Sequence, residues 1–255
     1  MSSYQHPITF QPTGNVRRDF QYAIESFEKN LSVYLPSDRQ ARILDYGCGW
    51  GQFLWWVRDK GYSSAEGIDV GVDQIEFCSS LGLQVYEVDN TLSYLEQRPA
   101  IYDLVVMNHV IEHVPAVEAL DILKTIHYSM RNGARIIVQT PNMSSISANF
   151  SRYIEITHVT GYTENSLIEA LELANFSEVK AFGGKSLMRL SPKRLAWLFA
   201  QAISRVIWRT MLVAELGTDV PRILDKNLFA TGVKLGAFEE SSPRAIVSST
   251  VSLAQ

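Results

Sequence analysis

The stretch Ile-Leu-Asp-Tyr-Gly-Cys-Gly-Trp-Gly at residues 43–51 decides the fold. A short apolar run ends in three glycines at alternate positions, and a helical pattern begins directly after them at Gln52. Gly47, Gly49 and Gly51 let the backbone turn sharply and approach a ligand, because they carry no Cβ. The helix that follows directs its unpaired N–H groups and its positive dipole end to the same place. This stretch therefore predicts a first strand, a ligand-binding loop and a first helix.

Segments typical of strands and helices alternate along the rest of the chain. The patterns predict strands at 42–46, 65–70, 83–88, 102–107, 134–139, 178–182 and 228–235, and helices at 16–35, 52–60, 72–81, 117–130, 163–174 and 195–216. Such alternation indicates βαβ units and a sheet covered on both faces. The predicted fold class is α/β, with a Rossmann-like, doubly wound, mostly parallel seven-stranded sheet, an N-terminal helix and a late helical insertion.

Length and composition suit one main domain with additions. We expect an arm and helix at residues 1–35, the main α/β domain at 36–238 with a helical insertion at about 190–222, and a mobile Ser-rich tail at 239–255. The net charge of −4 gives no indication of nucleic acid as a partner. Two cysteines are too few for a disulfide framework. No signal-peptide pattern and no apolar run of about 18 residues is found, so we expect a cytoplasmic protein.

An acidic residue follows the glycine loop at a sequence spacing that indicates what the loop binds. Asp69 ends the second predicted strand, 18 residues after Gly51, where a carboxylate can accept hydrogen bonds from both hydroxyls of a ribose. The dinucleotide fingerprint G-x-G-x-x-G is absent, because the third glycine comes one residue early and position 52 is Gln. The Walker A pattern is absent as well. A simple turn would account for the glycines, but it would not require the acid.

The loop and this acid together resemble the cofactor site of class I S-adenosylmethionine-dependent methyltransferases. The resemblance implies that the loop from Asp45 through Gly47, Cys48 and Gly49 to Gly51 holds the methionine end of the cofactor. It also implies that Asp69 holds the ribose. S-adenosylmethionine would be the methyl donor, and S-adenosylhomocysteine the product.

Two further stretches resemble this family. Glu-Val-Asp-Asn at 87–90 closes the third strand, which implies that Asp89 and Asn90 meet the adenine. Residues 102–114 resemble the fourth strand and the turn after it, which implies that Asn108 and His109 face the methionine end. The four pieces occur in the family's order and at its spacing.

A narrower resemblance covers most of residues 16–182. The stretches at 27–31, 107–114, 140–142 and 152–158 are similar to a group of bacterial methyltransferases often associated with surface polysaccharide biosynthesis. The resemblance implies a sugar or glycan acceptor, with Asn142, Arg152 and Tyr162 as substrate-binding residues. Val159 stands where the group has Glu, and this departure bears on the identity of the acceptor.

Three histidines fall in the two loops that should open beside the cofactor. Methyl transfer to a hydroxyl benefits from a base that removes the acceptor proton, and imidazole has a suitable pKa. We predict His158 as this base, with Glu155 orienting it and His113 as the second candidate. Structural roles for both histidines stay open. The pair Glu112–His113 is also similar to methyltransferases that use a divalent metal, but without further ligands the signal is weak, so we predict no metal.

The segment between Glu178 and Glu215 contains no acidic residue but seven of the chain's 23 lysines and arginines. Within it, residues 195–216 predict a mostly apolar helix with a polar stripe at Gln201, Arg205 and Arg209. The helix could pack on the domain or on a second subunit, as in a homodimer. It could instead contact an acidic acceptor or an anionic membrane surface.

These features lead to one favoured function and two alternatives. The favoured function is O-methylation of a sugar or glycan hydroxyl, and an acceptor that is acidic or linked to a nucleotide is one of the partners that the basic segment leaves open. The alternatives are a methyltransferase for a small secondary metabolite or phenol, and a non-catalytic cofactor-binding subunit. A nucleic-acid acceptor is not expected, because the Asn/Asp-Pro-Pro-aromatic run is missing after the fourth strand, where Asn-His-Val-Ile stands at 108–111.

Overall fold

The computed structural model describes residues 13–185 and 192–236. Its strands are β1 (Ile43–Tyr46), β2 (Ala65–Asp69), β3 (Val85–Glu87), β4 (Tyr102–Asn108), β5 (Met130–Pro141), β6 (Ser177–Gly183) and β7 (Asn227–Val233). Its helices are α1 (Val16–Asn30), α2 (Gln52–Asp59), α3 (Val72–Ser80), α4 (Thr91–Glu96), α5 (Ala116–Ser129), α6 (Ala148–Tyr153), α7 (Glu164–Leu173) and α8 (Pro192–Leu216).

The strands form one seven-stranded sheet in the order β3-β2-β1-β4-β5-β7-β6. The pairs from β3 to β5 are parallel, whereas β7 runs antiparallel to both β5 and β6. The chain leaves β1 toward β2 on one side and later returns to place β4 on the other. The carboxyl ends of β1, β2 and β4 therefore meet where the strand order reverses, which is where doubly wound folds bind ligands. The predicted Rossmann-like fold class is confirmed.

Helices cover both faces of the sheet. On one face, Phe27 of α1 packs with Phe53 and Trp56 of α2. On the other face, the core includes Leu123 of α5 and Leu167 of α7. The central strands are buried from both sides, since all four residues of β1 and five of the seven in β4 are buried. This arrangement explains their nearly continuous apolar sequences.

Several element boundaries differ from the sequence-based expectations. The first helix ends at Asn30 instead of residue 35, and a short 3₁₀ turn at Ser32–Tyr34 follows it. Helices α4 and α6 were not predicted, because each has only six residues and shows too little periodicity to detect. Thr163 caps the start of α7, since its hydroxyl accepts from the Ser166 N–H. The predicted mobile tail, 239–255, lies outside the described residues, as does most of the predicted arm.

Helix α8 coincides with the predicted late helical segment. It contacts the domain through Trp208, whose Nε1 donates to the Ser144 carbonyl at 3.0 Å, and through an ion pair of 2.6 Å between Arg205 and Asp225. The rest of the helix exposes a large apolar surface, formed by Leu195, Trp197, Phe199, Ile203, Val206, Ile207, Met211, Val213 and Leu216. No helix in the described part of the chain is both long and apolar enough to cross a membrane.

Candidate active site

A cleft of about 740 Å³ opens at the carboxyl ends of β1, β2 and β4. Its wall brings together most of the residues that the sequence predicted for the cofactor site. These are Asp45, Gly47, Cys48, Gly49, Asp69, Asn108 and His109. The predicted catalytic residues His113 and Glu155 also line the cleft.

The glycine loop turns into the cleft through left-handed backbone conformations. Gly47 has φ +72°, and a Cβ there would lie 2.4 Å from Cγ2 of Val110. Gly49 has φ +48°, and a Cβ there would meet no atom within 4 Å, so this part of the backbone is open to a ligand. Gly51 differs, because its Cβ would meet Cys78 and Leu83 in the core at 2.7 Å. Gly51 therefore permits packing behind the loop and does not line the cleft.

Asp69 connects the end of β2 to the glycine loop. Its Oδ2 accepts from the N–H of Gly49 at 2.7 Å, and its Oδ1 accepts from the N–H of Gly71 at 2.9 Å. Each carboxylate oxygen can accept a second hydrogen bond. Asp69 can therefore hold the loop and bind two ribose hydroxyls at the same time.

Two buried polar side chains in the cleft wall lack partners. Oδ1 of Asp45 and both amide atoms of Asn108 are buried without a hydrogen bond to any described residue. Burial, with a further contribution from the negative charge of Asp69, raises the pKa of Asp45 to about 8. Such groups are costly unless a ligand satisfies them. The ammonium and carboxylate of the cofactor's methionine end supply the required donors and acceptors, so these residues fit S-adenosylmethionine.

The two residues predicted to meet the adenine do not line the cleft. Asp89 and Asn90 are exposed in the loop after β3, and Oδ1 of Asn90 caps α4 by accepting from the Ser93 N–H at 3.0 Å. The next residue, Thr91, lines the cleft and hydrogen-bonds the hydroxyl of Tyr46 at 2.7 Å. Sequence analysis missed Thr91 and Tyr46, although one directly follows the predicted pair and the other lies inside the loop motif.

His109 is held firmly by two neighbours. Its Nδ1 lies 3.0 Å from Oε1 of Glu112, and its Nε2 lies 2.8 Å from Nε2 of Gln139. Because the Gln139 amide donates, Nε2 accepts and the neutral ring donates from Nδ1 to Glu112. Burial raises the pKa of Glu112, but its interactions with His109, chiefly the hydrogen bond, outweigh this and bring the pKa below its ordinary value. Both ring nitrogens of His109 are therefore occupied.

His113 and His158 lie in contact at the end of the cleft. Their ring centroids are 4.7 Å apart in an edge-to-face arrangement. His158 is buried, and its Nδ1 donates to the Ser151 carbonyl at 2.8 Å, which leaves Nε2 with a lone pair. His113 lines the cleft, whereas His158 does not. Burial lowers the pKa of His113; Glu112 opposes this shift and His158 reinforces it.

The predicted role of Glu155 in orienting His158 needs correction. Oε2 of Glu155 lies 3.8 Å from Nε2 of His158, which is too long for a hydrogen bond. The Ser151 carbonyl on the opposite nitrogen fixes the ring instead. Glu155 lies at the edge of the cleft, next to the open nitrogen of His158.

The predicted substrate-binding residues have separate environments. Asn142 is fully buried, where its amide donates to the carbonyls of Ile223 and Asp225, and Tyr162 is 4% exposed. Both residues are therefore buried in the core. A β-bridge between their backbones also connects the segment after β5 to the start of α7. Arg152 instead lines a surface hollow of about 490 Å³, together with Glu155 and His158.

Comparisons with known proteins agree with this site. The methyltransferase-domain family matches residues 17–181. The fold is similar to a SAM-dependent methyltransferase from Archaeoglobus fulgidus, with 22% identity over 86% of this chain and 98% of that chain and a TM-score of 0.61. It is also similar to a possible histamine N-methyltransferase from Thermotoga maritima, with 15% identity over 84% and 90% of the two chains and a TM-score of 0.58.

A third similar structure contains the cofactor itself. It is phosphoethanolamine N-methyltransferase 2 from Haemonchus contortus in complex with S-adenosylmethionine, with 12% identity, a TM-score of 0.57, and coverage of 84% of this chain and 53% of that one. No curated protein matches the sequence. The family match spans well over half of the 255 residues, and the cleft offers what the cofactor requires. The chain therefore belongs to the methyltransferase-domain family and is an S-adenosylmethionine-dependent methyltransferase.

Proposed function

We propose that this enzyme methylates a hydroxyl group of a sugar or glycan. The observation that carries the proposal is the position of the His113 imidazole in the cleft wall, next to His158 and Glu155. A hydroxyl must lose its proton as it attacks the methyl group of the sulfonium, so the enzyme needs a group that accepts this proton. Its other task is to orient the hydroxyl and the methyl group for the attack. Proton-accepting groups at the end of the cofactor cleft suit a hydroxyl acceptor for this reason.

The proton-accepting group is proposed within the same cluster. His158 stays the predicted base, with Nε2 as the accepting atom, because Nδ1 is occupied by Ser151. His113 is the second candidate, and its position in the cleft wall favours it for direct contact with an acceptor. Glu155 borders both the cleft and the neighbouring hollow, so it can receive a proton from either ring or hydrogen-bond the acceptor.

The chemical class of the acceptor is supported by the motifs at 107–114 and 152–158 and by the basic segment. Exposed Arg209 on α8 and Lys180 on β6 would attract an acidic acceptor, such as a nucleotide-linked sugar. The apolar surface of α8 would suit a second copy of the chain or an anionic membrane surface. These partners, and a cytoplasmic location, stay predictions.

A labelled-donor screen tests the proposal. The enzyme is incubated with methyl-labelled S-adenosylmethionine and sets of nucleotide sugars, glycans, phenols and primary amines, and the products are identified by mass spectrometry. We expect label on an oxygen of a sugar. Transfer only to phenols would favour the small-metabolite alternative, and transfer only to amines would refute a hydroxyl acceptor. Cofactor binding without transfer to any acceptor would favour the non-catalytic subunit.

A further inference from the structure

Glu112, His113 and His158 form a cluster that the sequence did not predict. One potential ligand atom from each residue lies within 4.8 Å of the other two. Glu112 and His113 come from the 3₁₀ turn after β4, and His158 comes from the loop after α6, which is 45 residues later in the chain. The two segments are joined by the backbone, since the N–H groups of Val159 and Thr160 both donate to the carbonyl of Glu112.

The carboxylate of Glu112 has an unused oxygen inside the protein. Glu112 is 2% exposed, and its Oε1 accepts from Nδ1 of His109. Its Oε2 is buried and has no hydrogen-bond partner anywhere in residues 13–185 or 192–236. A buried carboxylate oxygen without a partner is unfavourable by itself, because it loses water and gains nothing in exchange. A positively charged ligand at this oxygen would remove that penalty.

The hydrogen bonds of the imidazole rings decide which ring nitrogen can bind a ligand. The Nδ1–H of His158 donates to the Ser151 carbonyl, which leaves the Nε2 lone pair of that ring available. Metal-binding histidines commonly donate their other N–H in this way, which fixes the tautomer and directs the lone pair to the metal. Glu112 has an equivalent outer partner in His109. Two of the three potential ligands, Glu112 and His158, therefore have a supporting hydrogen bond, and the ring of His113 lies against that of His158.

We propose that Glu112, His113 and His158 bind a divalent first-row transition cation next to the methyl-transfer site. Two imidazoles and one carboxylate suit Mn²⁺, Fe²⁺, Co²⁺ or Zn²⁺ better than Mg²⁺ or Ca²⁺, which prefer oxygen ligands. Ligand atoms bound at about 2.0–2.2 Å to one cation lie roughly 3.0–3.4 Å apart, so binding would require side-chain rotations that bring the most distant atoms up to about 1.5 Å closer together. Three protein ligands leave positions open for water or substrate.

The cation would also supply the activation that a hydroxyl acceptor needs; this consequence rests on the proposed function. The acceptor oxygen would replace a bound water, and its proton would pass to solvent through Glu155 at the edge of the cleft. The alkoxide would then attack the sulfonium methyl, so that a C–O bond forms, the C–S bond breaks and S-adenosylhomocysteine leaves. With both imidazole lone pairs on the cation, His158 would be a ligand, and its Nε2 could act as the base only in the cation-free enzyme.

Calorimetric titration tests the site without any assay of activity. The full-length protein is treated with EDTA, dialysed, saturated with S-adenosylhomocysteine and titrated with Co²⁺, and the titration is repeated with Mn²⁺, Zn²⁺ and Mg²⁺. We expect one transition cation per chain and Mg²⁺ binding that is weaker by at least tenfold. Glu112→Gln keeps the acceptor for His109 and so preserves the fold. This substitution and His158→Gln should each weaken Co²⁺ binding by at least the roughly 10–100-fold that changes of outer partners cost.

Matched variants outside the cluster complete the experiment. Glu118→Gln, on an exposed cleft residue, and His127→Gln, on a buried histidine elsewhere, should leave Co²⁺ affinity unchanged. Absence of saturable Co²⁺, Mn²⁺ and Zn²⁺ binding in a protein that binds S-adenosylhomocysteine would overturn the proposal. Equal loss in the cluster variants and the control variants would overturn it too. A positive titration together with no sugar methylation would leave the cation site established and refute only the proposed acceptor.

Discussion

Replacement of Asp69 by Ala gives the sharpest test of the cofactor site. The carboxylate accepts from the N–H groups of Gly49 and Gly71 in the ligand-free protein, so these hydrogen bonds are present before and after binding. Because the free and the bound protein both contain these two hydrogen bonds, they contribute little to the free energy of binding. Binding adds only the hydrogen bonds that the ribose hydroxyls donate to the second lone pairs of the same oxygens. The loss of affinity therefore measures the ribose hydrogen bonds, plus any loosening of the loop.

The magnitude follows from the charge of the acceptor. A hydrogen bond to a charged group contributes about 1.5–3 kcal/mol, so Asp69→Ala should weaken S-adenosylhomocysteine binding by about 10–150-fold for each ribose hydrogen bond that it removes. Asp69→Asn is a poor isostere here, because its NH₂ group would face the N–H of Gly49 or Gly71. We expect the Asn variant to bind no better than the Ala variant, although it is closer in shape.

Calorimetry with two ligands distinguishes the contribution of Asp69 to binding from that of Asp45. S-adenosylhomocysteine carries the amino acid, whereas 5′-methylthioadenosine keeps the adenosine and lacks it. Asp69→Ala should weaken both ligands by similar factors, but Asp45→Asn should weaken only S-adenosylhomocysteine. Far-ultraviolet circular dichroism confirms that each variant is folded. Undiminished affinity in folded Asp69→Ala, or preferential binding of a nicotinamide dinucleotide, would refute this assignment of the cleft.

Four further outcomes are expected. Because the pKa of Asp45 is about 8 without ligand, pairing with the cofactor ammonium should release up to one proton at pH 7, seen as a buffer-dependent binding enthalpy that Asp45→Asn abolishes. His158→Ala should lower kcat by about 100-fold or more with cofactor affinity nearly intact; near-normal kcat would remove His158 from the mechanism. The double substitution Arg205→Gln and Arg209→Gln should leave cofactor affinity unchanged but raise the KM for the acceptor or shift the oligomeric mass. If neither the KM nor the mass changes, the two arginines are ordinary solvent-exposed residues. Burial and then the charge of Lys234 lower the pKa of His127 to about 4 in the folded protein. Between pH 6.5 and 4, His127 is therefore protonated in the unfolded chain and neutral in the folded one, so the free energy of unfolding should fall by up to about 3 kcal/mol as pH falls through this window. Urea unfolding measures this loss, and His127→Gln should lack it.

The sequence predicts the cofactor half of the site well, for a topological reason. In a parallel sheet the carboxyl ends of neighbouring strands lie at one edge, so residues that follow β1, β2 and β4 must meet. Asp45, Asp69 and Asn108 therefore reach one cleft although 63 residues separate the first from the last. Gly51 shows the limit of this reasoning. Its motif position marks it as a ligand contact, yet only the packing of α3 against α2 reveals that its missing Cβ makes room for Cys78.

The acceptor half is harder to predict, because it depends on which atoms stay free after the side chains have packed. His109 and His113 lie in the same turn, and nothing in their spacing separates their roles. The structure does so through the left-handed backbone of His109, at φ +54°, which leaves its ring between Glu112 and Gln139 with both nitrogens occupied. The 3₁₀ turn that follows directs the ring of His113 toward His158 instead. The same hydrogen bond that fixes His109 uses one oxygen of Glu112 and leaves the other unpaired, in a carboxyl group that lies near the two histidines. A histidine that looks like a cofactor contact in the sequence thus serves to hold a carboxylate, and that carboxylate changes the adjacent pair of imidazoles from candidate bases into candidate metal ligands.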